Sequence, residues 1–146
     1  MTEEKGNLKL PKTDGKKKPW EVYGSKVSVM PRFNRIAVVI KNMGLNRGNA
    51  DLINKGLPSG VSFSFSPYAP DQAEQIIAAR SEGHETYMDL LLPSKDYLQS
   101  DSGPMSISLT ASLAENTERL EKTIGIGAPV GGVIVTPGVV DESNAE

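Results

Sequence analysis

Three short apolar runs begin about 25 residues apart, and helical patterns fill the intervals between them. That interval is the length of one strand–helix unit, so it restricts the chain to alternating β and α elements around parallel strands. The first run, Arg35-Ile36-Ala37-Val38-Val39-Ile40, is nearly continuous and rich in β-branched residues, as in a strand covered on both faces. The second, Val61-Ser62-Phe63-Ser64-Phe65-Ser66, alternates strictly, as in a strand with one buried face. Thr86-Tyr87-Met88-Asp89-Leu90-Leu91 is a third strand and Gly132-Val133-Ile134-Val135 a fourth.

Residues 49–55 read as a short helix stopped by Gly56. Residues 71–82 are the clearest helix. Pro70 and Asp71 suit its first turn, Ala73, Ile76, Ile77 and Arg80 share a face, and Gly83 stands just beyond its end. Residues 112–122 open on Ser112-Leu113-Ala114-Glu115, a capping-box pattern, with Leu113, Asn116, Thr117 and Leu120 on one face. The expected fold class is α/β, a parallel sheet with helices outside it and right-handed crossovers. Closing a (β/α) barrel takes roughly 200 residues. Residues 36–136 supply four strands, hence an open sheet or part of a barrel whose remainder lies outside this chain. Such a sheet leaves an exposed edge, so a homodimer across it or a longer native chain is expected.

The 146 residues are enough for one domain. Residues 1–26 carry seven lysines against four acids, whereas the rest of the chain is acidic. Residues 1–18, ending in Lys16-Lys17-Lys18, lack periodicity and read as a flexible basic leader. Residues 19–34 are an arm anchored by Trp20 and Tyr23, 35–140 the α/β domain, and 141–146 a polar tail. No run is long enough to span a bilayer, and no apolar run of the kind a signal peptide needs follows the leading lysines. The protein is then either cytoplasmic or begins after its targeting segment. The absence of cysteine excludes disulfides, zinc ribbons, iron–sulfur clusters and thiol nucleophiles. A single histidine, His84, excludes a histidine-rich metal centre within this chain. A net charge of −2 gives no reason to expect nucleic acid as a partner.

In parallel α/β sheets ligands meet the loops at the carboxyl ends of the strands, here 41–46, 66–69, 89–101 and 136–139. The loop 92–107 is long and polar, with Asp96, Asp101 and Gly103-Pro104. Gly125-Ile126-Gly127-Ala128-Pro129-Val130-Gly131 follows a helix and precedes a strand, the reverse of a dinucleotide-binding order. Met43-Gly44-Leu45-Asn46-Arg47-Gly48 lacks the Gly-Lys-Ser/Thr ending of a phosphate loop. Nucleotide binding is therefore set aside. His84 falls at the amino end of a strand, away from the expected site face. Asp89 falls near a strand's carboxyl end, where a carboxylate is costly to bury without a partner. It is the leading functional candidate, with a structural hydrogen-bonding role standing equally beside it.

Several stretches together resemble the divergent polysaccharide deacetylase family: Arg35 to Ile40, Met43-Gly44-Leu45-Asn46, Leu57-Pro58-Ser59-Gly60-Val61 and Phe65-Ser66-Pro67-Tyr68-Ala69. The same register continues through Gly83-His84-Glu85, Asp101-Ser102-Gly103-Pro104 and Glu115-Asn116-Thr117-Glu118-Arg119-Leu120. The resemblance implies a deformed (β/α) barrel exported to the bacterial envelope and acting on N-acetylated sugars. It also implies, for active members, a divalent metal such as zinc that polarises the amide carbonyl and activates water. Against that pattern, Lys41-Asn42 stand where many members carry an acidic pair, Thr136 stands in a histidine's place, and Pro93 in a glutamate's. Asp89 alone keeps a carboxylate at a matching position. The expectation is a catalytically degenerate domain with no cofactor, binding glycan, a peptidoglycan fragment or an envelope protein. Lys41, Asn42, Ser66, Tyr68 and Thr136 line its remnant cleft beside Asp89. The rivals are an active N-acetyl-sugar deacetylase dependent on Asp89 and a structural or regulatory protein-binding module.

Overall fold

The computed structural model describes residues 2–13, 15–26, 32, 34–93, 102–126 and 130–136. The loop residues Asp96 and Asp101, arm residues 27–31 and the tail 141–146 lie outside that set. Four strands, β3 (Val39–Met43), β4 (Ser62–Phe65), β5 (Thr86–Leu91) and β6 (Val133–Thr136), form one parallel sheet in sequence order. Helices α2 (Arg47–Gly56), α3 (Gln72–Ser81) and α4 (Leu113–Gly125) supply the three crossovers. The expected α/β class with a parallel sheet is the observed one.

Alternation along β4 decides how the layers stack. Phe63 and Phe65 point to one face, where they are buried with Met43, Ala50, Ile76, Ala79, Met88 and Val130 between the sheet and its helices. Each of those two phenylalanines contributes roughly 1.5–3 kcal/mol by burial. Ser62 and Ser64 occupy the opposite face.

The first strand departs from expectation. It spans Val39–Met43 rather than 35–40, and it is an edge strand rather than one covered on both faces. Ile36 is 89% exposed and Val38 48%. Parallel pairing starts where Val39 meets Ser62; Val38 contributes only its carbonyl, which accepts from Ser62 N at 2.9 Å, and Ile36 falls outside the ladder. Lys41 and Asn42, expected in the following loop, lie within the strand, at a bulge between Ile40 and Met43.

In α3 the buried face is Gln72, Gln75, Ile76 and Ala79, while Ile77 is exposed. The expected apolar face is rotated because the two glutamine amides point inward to backbone carbonyls of the loops. Gln72 Nε2 donates to Ser66 O at 2.7 Å, and Gln75 Nε2 donates to Pro70 O at 2.6 Å and Gly44 O at 3.1 Å. Asp71 stands before the helix in the left-handed region (φ 49°), and its carboxylate accepts from Arg47 at 2.7 Å.

The leader was expected to lack regular structure, yet it forms an antiparallel hairpin, β1 (Thr2–Lys5) with β2 (Leu8–Pro11). A two-residue Gly6-Asn7 turn joins the strands, with Gly6 at φ +61°, a conformation glycine adopts without strain. The hairpin packs on α4: a Cβ at Gly125 would lie 2.8 Å from Leu8 Cβ, and Lys5 pairs with Glu121 at 2.6 Å. Helix α1 (Pro19–Tyr23) anchors the arm through Tyr23, which is buried beneath the Arg80 guanidinium at 5.6 Å; Trp20 is exposed.

The capping box of α4 is present as expected. Ser112 Oγ accepts from Glu115 N at 3.2 Å, and the Glu115 carboxylate accepts from Ser112 N at 2.7 Å. The hydrogen bonds from Ser112 hold the Glu115 carboxyl below its usual range. Because the folded value is depressed, this stabilisation is present at neutral pH and is lost as pH falls through that lowered value. An NMR titration should show the Glu115 side chain and the Ser112 amide shifting together, with a midpoint below that of a model glutamate. Ser112→Ala, which keeps the backbone donor and removes only the hydroxyl, should raise the midpoint part of the way toward the ordinary range.

Candidate functional site

The carboxyl ends of β3, β4 and β5 meet at one buried side chain. Asp89, in β5, is fully enclosed, with 0% of its surface exposed. Its Oδ1 accepts from the Ser64 hydroxyl of β4 at 2.6 Å, and its Oδ2 accepts from the backbone N–H of Asn42 in β3 at 2.9 Å. One carboxylate therefore ties together three adjacent strands.

The local sequence explains why each partner is available. Ser64 lies on the face of β4 opposite the phenylalanines and pairs in register with Tyr87, which turns it toward the face of β5 that carries Asp89. Asn42 occupies the left-handed region at φ 56°, which asparagine tolerates better than most residues. The bulge takes its N–H out of the ladder, and Asp89 supplies the acceptor the ladder does not. Gly44 follows at φ +92°; a Cβ there would come within 2.8 Å of Ala69 Cβ and 3.3 Å of both Phe65 Cδ1 and Gln75 Oε1.

Ser66 and Tyr68 belong to the turn after β4. Ser66 is buried: its N–H donates to Met43 O at 3.0 Å, and its Oγ accepts from Tyr68 N at 3.2 Å. The Tyr68 phenol donates to Ser102 O at 2.7 Å and accepts from Met105 N at 3.0 Å. Gly103, at φ +83°, lies directly against that phenol, where a Cβ would collide with its oxygen. Tyr68 thus fastens the segment that returns from the β5 loop, while 41% of its own surface stays exposed.

Of the residues proposed from sequence, Asn42 and Asp89 are in direct contact, Lys41 is exposed beside them, and Ser66 and Tyr68 form the neighbouring turn. Thr136 ends β6 in register with Leu91. Ser64, Gln72 and Gln75 were not identified from sequence. The signal for Ser64 was the regular serine at every second position of β4, one strand from an acid. His84 lies at the opposite end of the sheet, buried against Phe63 with ring centroids 4.2 Å apart. Its Nδ1 is 2.8 Å from Val61 O and its Nε2 3.0 Å from Asn54 O.

Removing the carboxylate leaves the Ser64 hydroxyl and the Asn42 N–H without their acceptor. Asp89→Ala should cost about 3 kcal/mol in chemical denaturation, and Ser64→Ala about 1–2 kcal/mol. Hydrogen exchange should be slow at the Asn42 amide and become fast in Asp89→Ala. An unchanged Asn42 exchange rate would show that the carboxylate does not hold the bulge.

The profile of the family described as divergent polysaccharide deacetylase matches residues 38–139. Comparison with curated proteins gives no match. Among solved structures, the chain is similar to an uncharacterized protein, ATU2773, from Agrobacterium tumefaciens C58. The TM-score is 0.80 and the identity 25%, with 91% of this chain and 53% of that one covered. The chain thus spans about half the length of that neighbour. The matched region takes in the whole parallel sheet and the Asp89 clamp, and the chain belongs to the divergent polysaccharide deacetylase family.

Proposed function

We propose that this protein is a catalytically degenerate member of its family, a domain of the bacterial envelope that binds glycan rather than deacetylating it. The observation that carries this reading is the state of Asp89. An acid or base in amide hydrolysis needs a lone pair or proton within reach of substrate or water. Both Asp89 oxygens are engaged by the protein's own donors, and no part of the side chain is exposed. Freeing it would break two hydrogen bonds and release the bulge in β3.

The donor set does not fit the divalent metal that the family's chemistry implies. Hard or borderline cations bind anionic oxygens and neutral imidazole. Here Asp89 is met by a serine hydroxyl and a backbone N–H, and the residues that precede and include that N–H are Lys41 and Asn42, a cation and a neutral amide. Among the described residues no three His, Cys, Asp or Glu side chains converge. No hydrolytic step is derived through such an ion.

What remains suits a sugar. The rim offers a cationic donor at Lys41, an amide at Asn42 and part of an aromatic ring at Tyr68, each exposed and each held on a pinned backbone. Aromatic faces and convergent polar groups are the elements by which proteins hold polar ligands in shallow sites. N-acetylglucosamine oligomers are the substrate class to test first. Titration with chitotetraose should shift the amide resonances of Lys41, Asn42 and Tyr68, and Tyr68→Ala should weaken binding about tenfold or more. Acetate should not be released, and equilibrium dialysis should find no stoichiometric zinc. Acetate release abolished by Asp89→Asn would replace this reading with a working deacetylase.

A further inference from the structure

Residues 102–108, between β5 and α4, form neither helix nor strand, yet their peptide groups are engaged one after another. Met105 N donates to the Tyr68 phenol at 3.0 Å, Ser106 N to Gly103 O at 3.1 Å, Ile107 N to Leu91 O at 3.0 Å and Ser108 N to Asn116 Oδ1 at 2.9 Å. On the carbonyl side the donors are three side chains of α4. Thr123 Oγ1 donates to Met105 O at 3.3 Å, Arg119 Nη1 to Ser106 O at 2.9 Å and Asn116 Nδ2 to Ser108 O at 2.9 Å. Positions 116, 119 and 123 share one face of a helix, so the segment lies antiparallel along that face. Backbone groups satisfied in this way fix a segment that has no ladder of its own.

We propose that Arg119 is a positioning residue for the Tyr68 ring and acts on ligand contact at the rim through residues 103–106. The inference deepens the glycan-binding reading of that rim and rests on it. Arg119 holds the carbonyl of Ser106, whose N–H closes a turn onto Gly103 O. Gly103 lies directly against the Tyr68 phenol, and Met105 N donates to the same phenol. The turn is thus gripped by Tyr68 through Met105 N and by α4 through Met105 O and Ser106 O. Arg119 is the charged donor among the three on α4, and hydrogen bonds from charged groups are stronger than neutral ones. Ser106 is itself buried, which strengthens the bond further.

The same contacts assign the part of Tyr68 that meets a ligand. Its hydroxyl donates to Ser102 O and accepts from Met105 N, so it is committed to two backbone partners. The phenol orients the side chain, and the ring is the part left for a ligand. A pyranose with equatorial substituents offers a flat face of C–H groups, and stacking against it depends on how the ring is tilted. Precision of that kind comes from the groups that support a contacting residue. Arg119 is such a support, although it lies on a different element from every residue of the rim.

The free protein supplies the first readout. Arg119→Ala should speed hydrogen exchange at the Met105 amide about tenfold and shift the Tyr68 ring resonances, at unchanged circular dichroism. Tyr68→Phe keeps the ring and removes the phenol, so it should speed Met105 exchange similarly. Because both act on one turn, the double variant should add little to either. Arg119→Lys keeps a charged donor and should restore most of the native behaviour. If Arg119→Ala folds poorly, Arg119→Met, which keeps the stem and removes the donors, gives the same readout. In titrations with chitotetraose, Arg119→Ala and Tyr68→Phe should each weaken binding about fivefold, again without adding. Met105 exchange and Tyr68 resonances left unchanged by loss of the guanidinium overturn the proposal, as does strict additivity with Tyr68→Phe. A native protein that binds no chitotetraose, but whose Tyr68 ring moves in Arg119→Ala, keeps Arg119 as a positioning residue and overturns the glycan reading instead.

Discussion

A carboxylate enclosed inside a parallel sheet dictates much of this molecule. Burying Asp89 is unfavourable unless both oxygens find donors. The donors come from different strands, the Ser64 hydroxyl next door and the Asn42 amide one strand further. The sheet's carboxyl end is therefore cross-braced by a side chain as well as by its ladder. The brace acts where the ladder fails, at the bulge in β3. Without an acceptor there, the Asn42 N–H would face a choice between solvent and an uncompensated burial, and its left-handed backbone would lose its support.

Around that brace, polar side chains from α3 do the work usually given to apolar packing. Gln72 and Gln75 reach three loop carbonyls, at Ser66, Pro70 and Gly44, so the turns after β3 and β4 are fastened to a helix. Tyr68 extends the fastening to residues 102 and 105. A site on loops gains precision when supporting side chains lock them, and here three loops share one support. The arrangement also separates positions: both Asp89 oxygens are engaged by neighbouring strands, whereas Lys41, Asn42 and Tyr68 are exposed, which is why the proposed function gives ligand contact to those three.

Much of the sheet was legible because periodicity fixes which residues share a face. The phenylalanine–serine alternation of 61–66 located β4 and its buried side, and Asp89 stood out as an acid inside an apolar run. Periodicity does not fix where pairing begins. The run at 35–40 was read as strand throughout, but pairing begins at Val39, so Ile36 lies exposed and Lys41-Asn42 enter the strand. The face of α3 was misplaced because a pattern of hydrophobicity ignores glutamines that bury their amides against carbonyls. The hairpin at 2–11 escaped because its strands are four residues long, the first is mostly charged, and Leu8 and Leu10 of the second pack against α4, more than a hundred residues away. Ser64 was missed for a related reason: a small polar residue on an alternating strand is read as solvent-facing until its cross-strand neighbour is known.

The bulge in β3 also governs what can pair with the outer side of that strand. Bulges commonly protect edges by twisting them away from would-be partners. In β3 the irregularity sits between Ile40 and Met43, so it blocks regular pairing along the carboxyl half of the strand and leaves the amino half, at Val39, competent. On the far edge β6 is only four residues long. Neither edge can extend a long ladder, which disfavours indefinite strand-on-strand growth. Each offers one short segment of defined register. Because Asp89 accepts from the N–H inside the bulge, the same buried carboxylate also limits which strand can lie beside β3.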